Sequence, residues 1–215
     1  MHRSQDDSPG GPGDQRPPGV RYRLEWATRA GALVALEPTP AEISPVAARL
    51  AAAYNDPRNA PLLGHTAELS PADVLEHYRT LAEAGARPLL LYRDGALAGD
   101  GDLRGLEGGA AEFAFLIADP AAQGRGLGTR FAIMIHALAF GPLALERIYV
   151  SVIPANTASR RVFEKLGYTA DDGEAARAYA DDGDLVLSID RAAFARAHGA
   201  AAAEVQIRAR TLEFG

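Results

Sequence analysis

A short glycine-rich segment, QGRGLG at residues 123–128, restricts the fold of this chain more than any other sequence feature. The apolar run 112–118 before it is typical of a strand, and the amphipathic pattern from Leu127 onward predicts a helix after it. Gly124, Gly126 and Gly128 carry no side chains that would keep a ligand away from the first N–H groups of that helix. The segment therefore predicts a strand–loop–helix unit that binds a phosphorylated ligand.

Two other classes of phosphate-binding loop do not fit the sequence. A P-loop needs Gly-Lys followed by Ser or Thr, and the chain lacks this tripeptide. The dinucleotide fingerprint starts directly after its strand, whereas residues 119–123 intervene here, and it needs a small residue at the position of Thr129. Glu146 lies at about the right distance for a ribose-binding acid, but it precedes its predicted strand. The loop therefore argues against a nucleotide-dependent dehydrogenase.

The composition is that of a globular protein and limits the classes of function. The 215 residues are 47% hydrophobic and 23% charged, which fits one domain with short extensions. The absence of Cys excludes disulfides, zinc–thiolate sites and thiol nucleophiles, and we expect no metal. The formal charge of -6 argues against nucleic acid as a partner. Without a long apolar run or a signal-peptide core, we expect a cytoplasmic protein with no membrane partner.

The order of predicted elements indicates an α/β (α+β) fold. We expect a flexible tail at 1–19, a folded domain at 20–190 and a helix and strand extension at 191–215. Three successive strands with tight turns, then strand–helix–strand–helix, imply one parallel pair in a mostly antiparallel sheet. Predicted strands cover 20–26, 32–36, 89–92, 96–103, 112–118, 147–153 and 185–189, and predicted helices cover 44–54, 70–84, 127–140, 156–166 and 192–203.

Two motifs resemble those of the GNAT superfamily of N-acetyltransferases. The acetyl-CoA loop of that family reads Arg or Gln, two residues, Gly, one residue, then Gly or Ala, and Gln123, Gly126 and Gly128 fill it. The second motif is an Asn-led helix that ends in Glu-Lys-aliphatic-Gly-aromatic, matched by 156–159 and 164–168. The resemblance implies a twisted sheet with a splayed parallel strand pair, flanking helices, and acetyl-CoA as cosubstrate.

The resemblance also assigns residues to the cosubstrate. It implies that the backbones of Leu116 and Ala118 hydrogen-bond the pantetheine arm. Arg125 either adds charge at a phosphate or is a solvated loop cation. Asn156 is predicted to cap its helix, and the resemblance adds a contact with the pantetheine region. The implied pyrophosphate loop consists of Gln123, Gly124, Arg125, Gly126, Leu127, Gly128 and Thr129.

A carboxylate is the predicted base of the reaction. Amine acceptors are protonated at neutral pH, so direct transfer requires removal of a proton. The resemblance implies that Glu112 accepts it, while an acid among apolar residues can also simply occupy the exposed face of a strand. His65 and His136 are weaker alternatives, and we expect His136 on the outer side of its helix.

One position departs from the pattern of many family members. Phe163 occupies the place where they have a Tyr that protonates the departing thiolate. Ser159, Tyr149 or water could take this role. Phe163 together with Ser159 is similar to the branch of ribosomal-protein N-terminal acetyltransferases.

Two functional hypotheses follow from these residues. The first is transfer of an acetyl group from acetyl-CoA to a primary amine of a small molecule or peptide, with Glu112 and Ser159 as catalytic groups. The second is a non-catalytic module that senses acyl-CoA. Residues 205–214 are predicted to form an edge strand or a strand exchanged in a homodimer.

Overall fold

The computed structural model describes residues 20–63, 67–119, 122–181 and 183–210. Nine strands in these ranges form a single sheet in the order β7-β8-β6-β5-β4-β3-β2-β1-β9. The strands are β1 (Arg21–Thr28), β2 (Gly31–Leu36), β3 (Arg87–Arg93), β4 (Ala96–Glu107), β5 (Ala110–Ile117), β6 (Arg147–Val152), β7 (Thr169–Ala170), β8 (Leu185–Asp190) and β9 (Gln206–Arg210). The α-helices are α1 (Pro40–Ile43), α2 (Ala47–Tyr54), α3 (Pro71–Glu83), α4 (Leu127–Phe140), α5 (Thr157–Leu166) and α6 (Arg191–Ala203).

One strand pair is parallel and opens soon after it begins. β5 pairs with β6 only over residues 110–112, which lie opposite 147–149. The rest of β5, to Ile117, stays paired with β4 but no longer with β6. All other neighbouring strands are antiparallel, which confirms the predicted fold class.

Local sequence signals account for several element boundaries. Ser70 accepts a hydrogen bond from the N–H of Asp73, whose side chain accepts the N–H of Ser70 in return, so α3 begins with a capping box. Asp94 and Gly95 have φ values of 51° and 81°, as a tight hairpin turn between β3 and β4 requires. The predicted helix start and hairpin at these positions are confirmed.

The helix predicted from Ser44 begins differently. Thr39 caps the earlier α1 by a capping box with Glu42, and Pro40 fills the first helical position. Residues 44–46 then form a 3-10 turn, and α2 starts only at Ala47. The expected start at Ser44 is wrong because the stronger capping sequence lies five residues upstream. The short strand β7 was also not predicted.

Two apolar clusters cover the two faces of the sheet. The larger one packs α4 against the face of β3 to β5 that carries Leu89, Leu103 and Phe113. A smaller cluster packs α2 and α3 on the opposite face, around Leu90 and Leu97. The sheet centre is therefore buried on both sides.

The C-terminal elements extend the same sheet. β9 pairs antiparallel with β1 within the chain, and Arg210 forms an ion pair of 2.6 Å with Glu42. Trp26 on β1 donates to Glu204 at 3.0 Å. The predicted strand at 205–214 is thus an edge strand over 206–210, and 211–214 lie outside the described residues. Across the described ranges, no helix combines the length and the apolar character needed to cross a membrane.

Candidate active site

A cavity of about 340 Å³ lies where β5 opens away from β6. Its walls come from the end of β5, the glycine loop and the first turns of α5, which the chain folding brings together from three separate segments. The sequence-predicted residues that line it are Leu116, Gln123, Gly124, Gly126, Gly128, Thr129, Asn156 and Ser159.

The glycine loop presents the N-terminus of α4 at this cavity. Gly126 has a φ of 77° and is the N-cap residue, and its C=O accepts the first helical hydrogen bond from the N–H of Arg130 at 3.2 Å. The N–H groups of Leu127, Gly128 and Thr129 precede that bond and have no intramolecular acceptor in the part of the chain described here. The helix start therefore offers unpaired donors and a partial positive charge to an anion.

Gly128 is required by space at the cavity floor. A Cβ atom at this position would lie 3.0 Å from Cε2 of Phe115 and 3.5 Å from Cγ2 of Val162. A side chain here would press on the neighbouring ring and occupy the volume in front of the helix start. Gly124 has a φ of 72°, a conformation that glycine adopts without strain.

Gln123 ties the loop to the end of β5. Its Nε2 donates to the carbonyl oxygen of Ile117 at 2.9 Å and lies 3.5 Å from Oδ1 of Asn59. The Gln at the start of the loop motif thus has a structural role in this chain as well as a place on the cavity wall.

The backbone groups of β5 that face the opening are those of Phe115 and Ile117. The N–H of Ala118 donates to Ala98 on β4 at 2.9 Å, so its donor is used within the sheet. Successive residues of a strand direct their N–H and C=O groups to opposite edges, so Leu116 and Ala118 both face β4. The backbone groups of Leu116 and Ala118, which the resemblance assigned to the pantetheine arm, thus face β4, and those of Phe115 and Ile117 face the opening.

The start of α5 closes the other side of the cavity. Oδ1 of Asn156 accepts the N–H of Ser159 at 3.0 Å, so the predicted N-cap is confirmed. Ser159 lines the cavity one turn into the helix. Phe163, one turn further, is buried in edge-to-face contacts with Phe113 and Phe115. Phe163 therefore belongs to the core beneath the cavity.

Two loop residues lie apart from the main cavity. Leu127 is buried in the core, and Arg125 is exposed. Arg125 lines a second cavity of about 280 Å³ behind the loop, together with Arg93 and Arg130. Arg93 already lies 3.6 Å from Asp119. This position fits the interpretation of Arg125 as a solvated loop cation better than a direct contact with a phosphate in the cavity of about 340 Å³.

Glu112 lies at the last register position where β5 and β6 still pair. Its two carboxylate oxygens each accept a hydrogen bond of 2.9 Å from the guanidinium of Arg104 on β4. Tyr149 lies opposite Glu112 on β6 and stacks on Tyr179, with ring centroids 4.5 Å apart. The predicted base is thus at the inner end of the opening but engaged in a bidentate ion pair.

Two carboxylates that the sequence analysis did not select lie on the same face as Glu112. Asp100 and Asp102 on β4 are 4% and 8% exposed. Burial raises the pKa of Asp100 to about 6, against the lowering effect of hydrogen bonds from Tyr54 and Tyr78. The alternation Gly-Asp-Gly-Asp at 99–102 was the available signal, because residues two apart on a strand share a face.

His136 is in the interior, and the expectation that it lies on the outer side of its helix is wrong. It is 0% exposed, and its Nδ1 and Nε2 lie 2.6 Å from the carbonyl oxygen of Ala132 and 2.5 Å from the hydroxyl of Tyr168. Burial lowers the pKa of His136 to about 3. α4 is apolar all round because both its sides are covered, which hides the outer face. His65 lies outside the described residues.

Comparison with known proteins adds a family and a set of similar folds. A model of the acetyltransferase (GNAT) domain matches residues 37–169. No curated protein sequence matches the chain. RimJ from Mycobacterium smegmatis, solved in complex with CoA-disulfide, is 20% identical with a TM-score of 0.66, over 91% of this chain and 98% of that chain.

Two further solved structures share the fold. The aminoglycoside acetyltransferase AAC(6′)-Ib in complex with coenzyme A and kanamycin is 22% identical with a TM-score of 0.61, over 81% of this chain and 98% of that chain. An uncharacterized protein from Bacillus halodurans is 13% identical with a TM-score of 0.67, over 84% of this chain and 96% of that chain. Because the family model spans more than half of the chain and includes both the glycine loop and α5, the protein belongs to the GNAT acetyltransferase family.

Proposed function

We propose that this acyltransferase moves the acetyl group of acetyl-CoA to a primary amine, by direct attack of the amine within a ternary complex. The observation that carries the proposal is the continuity of one cavity from the unpaired N–H groups at the start of α4 to the opening between β5 and β6. This shape matches a ligand with a diphosphate at one end and a narrow arm at the other.

The donor groups along the cavity fit the two parts of acetyl-CoA. The N–H groups of Leu127, Gly128 and Thr129 suit the diphosphate, because a helix start favours negative charge. The carbonyl oxygen of Ile117 already accepts a hydrogen bond from Gln123. The outward-facing backbone groups of Phe115 and the N–H of Ile117 suit the amide groups of the pantetheine arm, which would extend the sheet as an added strand. This orientation directs the thioester toward the inner end of the opening.

The chemistry at the inner end needs one proton acceptor and one proton donor. The amine nitrogen, once neutral, forms a bond to the thioester carbonyl carbon, and the carbon–sulfur bond breaks with its electron pair on sulfur. A carboxylate on this face, with Glu112 as the sequence-based candidate, takes the ammonium proton. Ser159 at the cavity wall is the candidate group beside the departing sulfur, since Phe163 cannot donate a proton.

The acceptor would approach from the face of the sheet covered by α2 and α3. This face carries Asp100, Asp102 and Glu112 against a single cation, Arg104, among the residues on β4 and β5 there. An excess of carboxylates favours a positively charged amine. AAC(6′)-Ib binds kanamycin, which supports polycationic amines as the first acceptors to try.

The test has a binding arm and a turnover arm. Isothermal titration with acetyl-CoA should give binding to wild type, while Gly128→Val should lower affinity at least 100-fold because its side chain fills the cavity. Gly199→Ala, in α6 with no atom within 4 Å of the new Cβ, is the control for a glycine change. Thiol release would then be followed with kanamycin, spermidine, tyramine and a peptide that begins with a free alanine.

Binding without thiol release from any of these amines would contradict catalysis of amine acetylation. Absence of binding in wild type, or equal binding by Gly128→Val, would contradict the assignment of the cavity to acetyl-CoA.

A further inference from the structure

Two buried carboxylate oxygens at this face have no hydrogen-bond partner. They are Oδ1 of Asp100 and Oδ1 of Asp102, judged against all residues that the structure describes. A buried oxygen of an acid without a donor is costly, and native structures rarely leave one. The pair therefore points to a donor that is supplied from outside the chain.

Asp100 is the deeper and more firmly held of the two. Its Oδ2 accepts hydrogen bonds from the hydroxyls of Tyr54 on α2 and Tyr78 on α3, the latter at 2.9 Å. These two tyrosines fix the carboxylate against the helices. Asp100 thus adds negative charge to the site but has little freedom to move.

Asp102 is the more exposed of the two. Its side chain is 12% exposed, although Oδ1 itself is buried, and it lies opposite Ala114 on β5. Leu116, two residues further along the same face of β5, lines the cavity. Two residues of a strand span about 7 Å, which is the separation along the strand between the register positions of Asp102 and Leu116.

Arg104 forms hydrogen bonds with Glu112 but not with Asp102. Arg104 directs two hydrogen bonds of 2.9 Å to Glu112, and its Nε lies 3.8 Å from Oδ1 of Asp102, which is too long for a hydrogen bond. Both oxygens of Glu112 are therefore occupied, while Asp102 keeps one oxygen free. Of the two acids that have an oxygen without a donor, Asp102 is the more exposed, at 8% against 4% for Asp100.

We propose that Asp102 is the proton acceptor of the reaction and holds the acceptor amine as an ammonium ion before attack. This inference deepens the proposed function and rests on it. One N–H proton of the ammonium passes to the carboxylate of Asp102, and the freed lone pair forms the carbon–nitrogen bond as the carbon–sulfur bond breaks. The same nitrogen loses a second N–H proton, which neutralises the departing thiolate. Asp102 then returns its proton to water.

The electrostatic surroundings of Asp102 suit this role. Burial raises its pKa to about 7, Arg104 acts to lower it, and Asp100 and Glu112 raise it further. A general base is most effective when its pKa lies near the working pH. The titratable groups that face Asp102 from α2, α3, β4 and β5 are Tyr54, Tyr78, Asp100, Arg104 and Glu112.

The experiment measures the single-turnover rate of amide formation against pH, with the full chain, saturating acetyl-CoA and the fastest amine among kanamycin, spermidine, tyramine and the alanine peptide. We expect Asp102→Asn to lower the rate about 100-fold and to remove the acid limb near pH 7. Glu112→Gln should retain an acidic limb in the pH–rate profile but shift it to lower pH. The substitution removes a negative charge near Asp102 and releases Arg104 toward it, and both changes lower the pKa of Asp102. Glu107→Gln, an exposed acid on the same strand, is the matched control.

The outcomes separate this inference from the proposed function. An active wild type whose acid limb survives in Asp102→Asn but disappears in Glu112→Gln would overturn the assignment of Asp102 and restore Glu112 as base. A wild type that acetylates none of the amines would overturn the proposed function itself. Acetyl-CoA affinity and the melting temperature of each variant show whether its fold is intact, since Asn retains the shape of Asp.

Discussion

The Nε2 atom of Gln123 donates to the carbonyl oxygen of Ile117 at 2.9 Å and so joins the glycine loop to the strand that precedes it. The loop start and the edge of β5 are thereby held at a fixed separation. Because these two segments form neighbouring walls of the proposed acetyl-CoA site, the side chain of Gln123 sets the separation between them without being part of the chemistry.

Gln123→Ala should weaken acetyl-CoA binding about 10-fold, because the loop loses its tie to β5 and must be ordered by the ligand. The free energy of unfolding should change by only about 1 kcal/mol, the usual value of one hydrogen bond. Calorimetric titration and chemical denaturation measure the two quantities. Gln206→Ala, at the far edge of the sheet, is the control. Equal affinities of the two variants for acetyl-CoA would contradict a role of the Gln123–Ile117 hydrogen bond in binding.

Substitutions of Asn156 should separate its capping role from ligand contact. Asp can still accept the N–H of Ser159, whereas Ala cannot, so Asn156→Ala alone should cost about 1 kcal/mol of stability. We expect both variants to weaken acetyl-CoA binding, since both lose the amide N–H₂ group at the cavity wall. Unchanged affinity in Asn156→Asp would restrict the residue to its structural role.

The buried acids predict a stability that falls as pH rises. The pKa values of Asp100 and Asp102 are raised from 3.8 to about 6 and about 7, so the folded state holds protons that the unfolded state has lost. Their favourable contribution is complete below about pH 4 and is lost as pH rises through 7. At pH 8 Asp102→Asn should be more stable than wild type by roughly 1–3 kcal/mol, and at pH 4 the two should be equal. Thermal denaturation across this range measures the difference, and parallel curves for the two proteins would contradict the raised pKa.

His136 should be a structural residue. His136→Ala should lower the free energy of unfolding by about 3 kcal/mol, because it leaves a cavity in the core and removes the partner of the Tyr168 hydroxyl. The pKa of His136 is lowered from 6.5 to about 3, so its stabilising contribution is present above pH 6.5 and is lost as pH falls toward 3. Denaturation with urea at pH 7.5 and pH 5 measures both effects. Loss of the acid limb of the acetylation rate in a folded His136→Ala protein would show that the residue takes part in proton transfer.

The sequence predicted those parts of the site that depend on neighbours along the chain. The bare helix start between Gly124 and Gly128 and the cap at Asn156 follow from interactions over a few residues, which the sequence displays directly. The predicted strand before the loop was placed almost correctly for the same reason. The edge that its N–H groups face depends on the register with β4, where Ala98 accepts the N–H of Ala118, and the sequence does not display that register.

The partners of the charged groups were decided by the tertiary structure. Only the pairing of β4 with β5 brings Arg104 to Glu112, and only the packing of α2 and α3 brings Tyr54 and Tyr78 to Asp100. Burial depends on every element packed around a group. The packing of these elements buries His136, and the burial of Asp102 raises its pKa. Such effects act across long sequence separations, so the chain alone determined the glycine loop and the helix start that follows it, and the fold determined which acids are buried and which are paired.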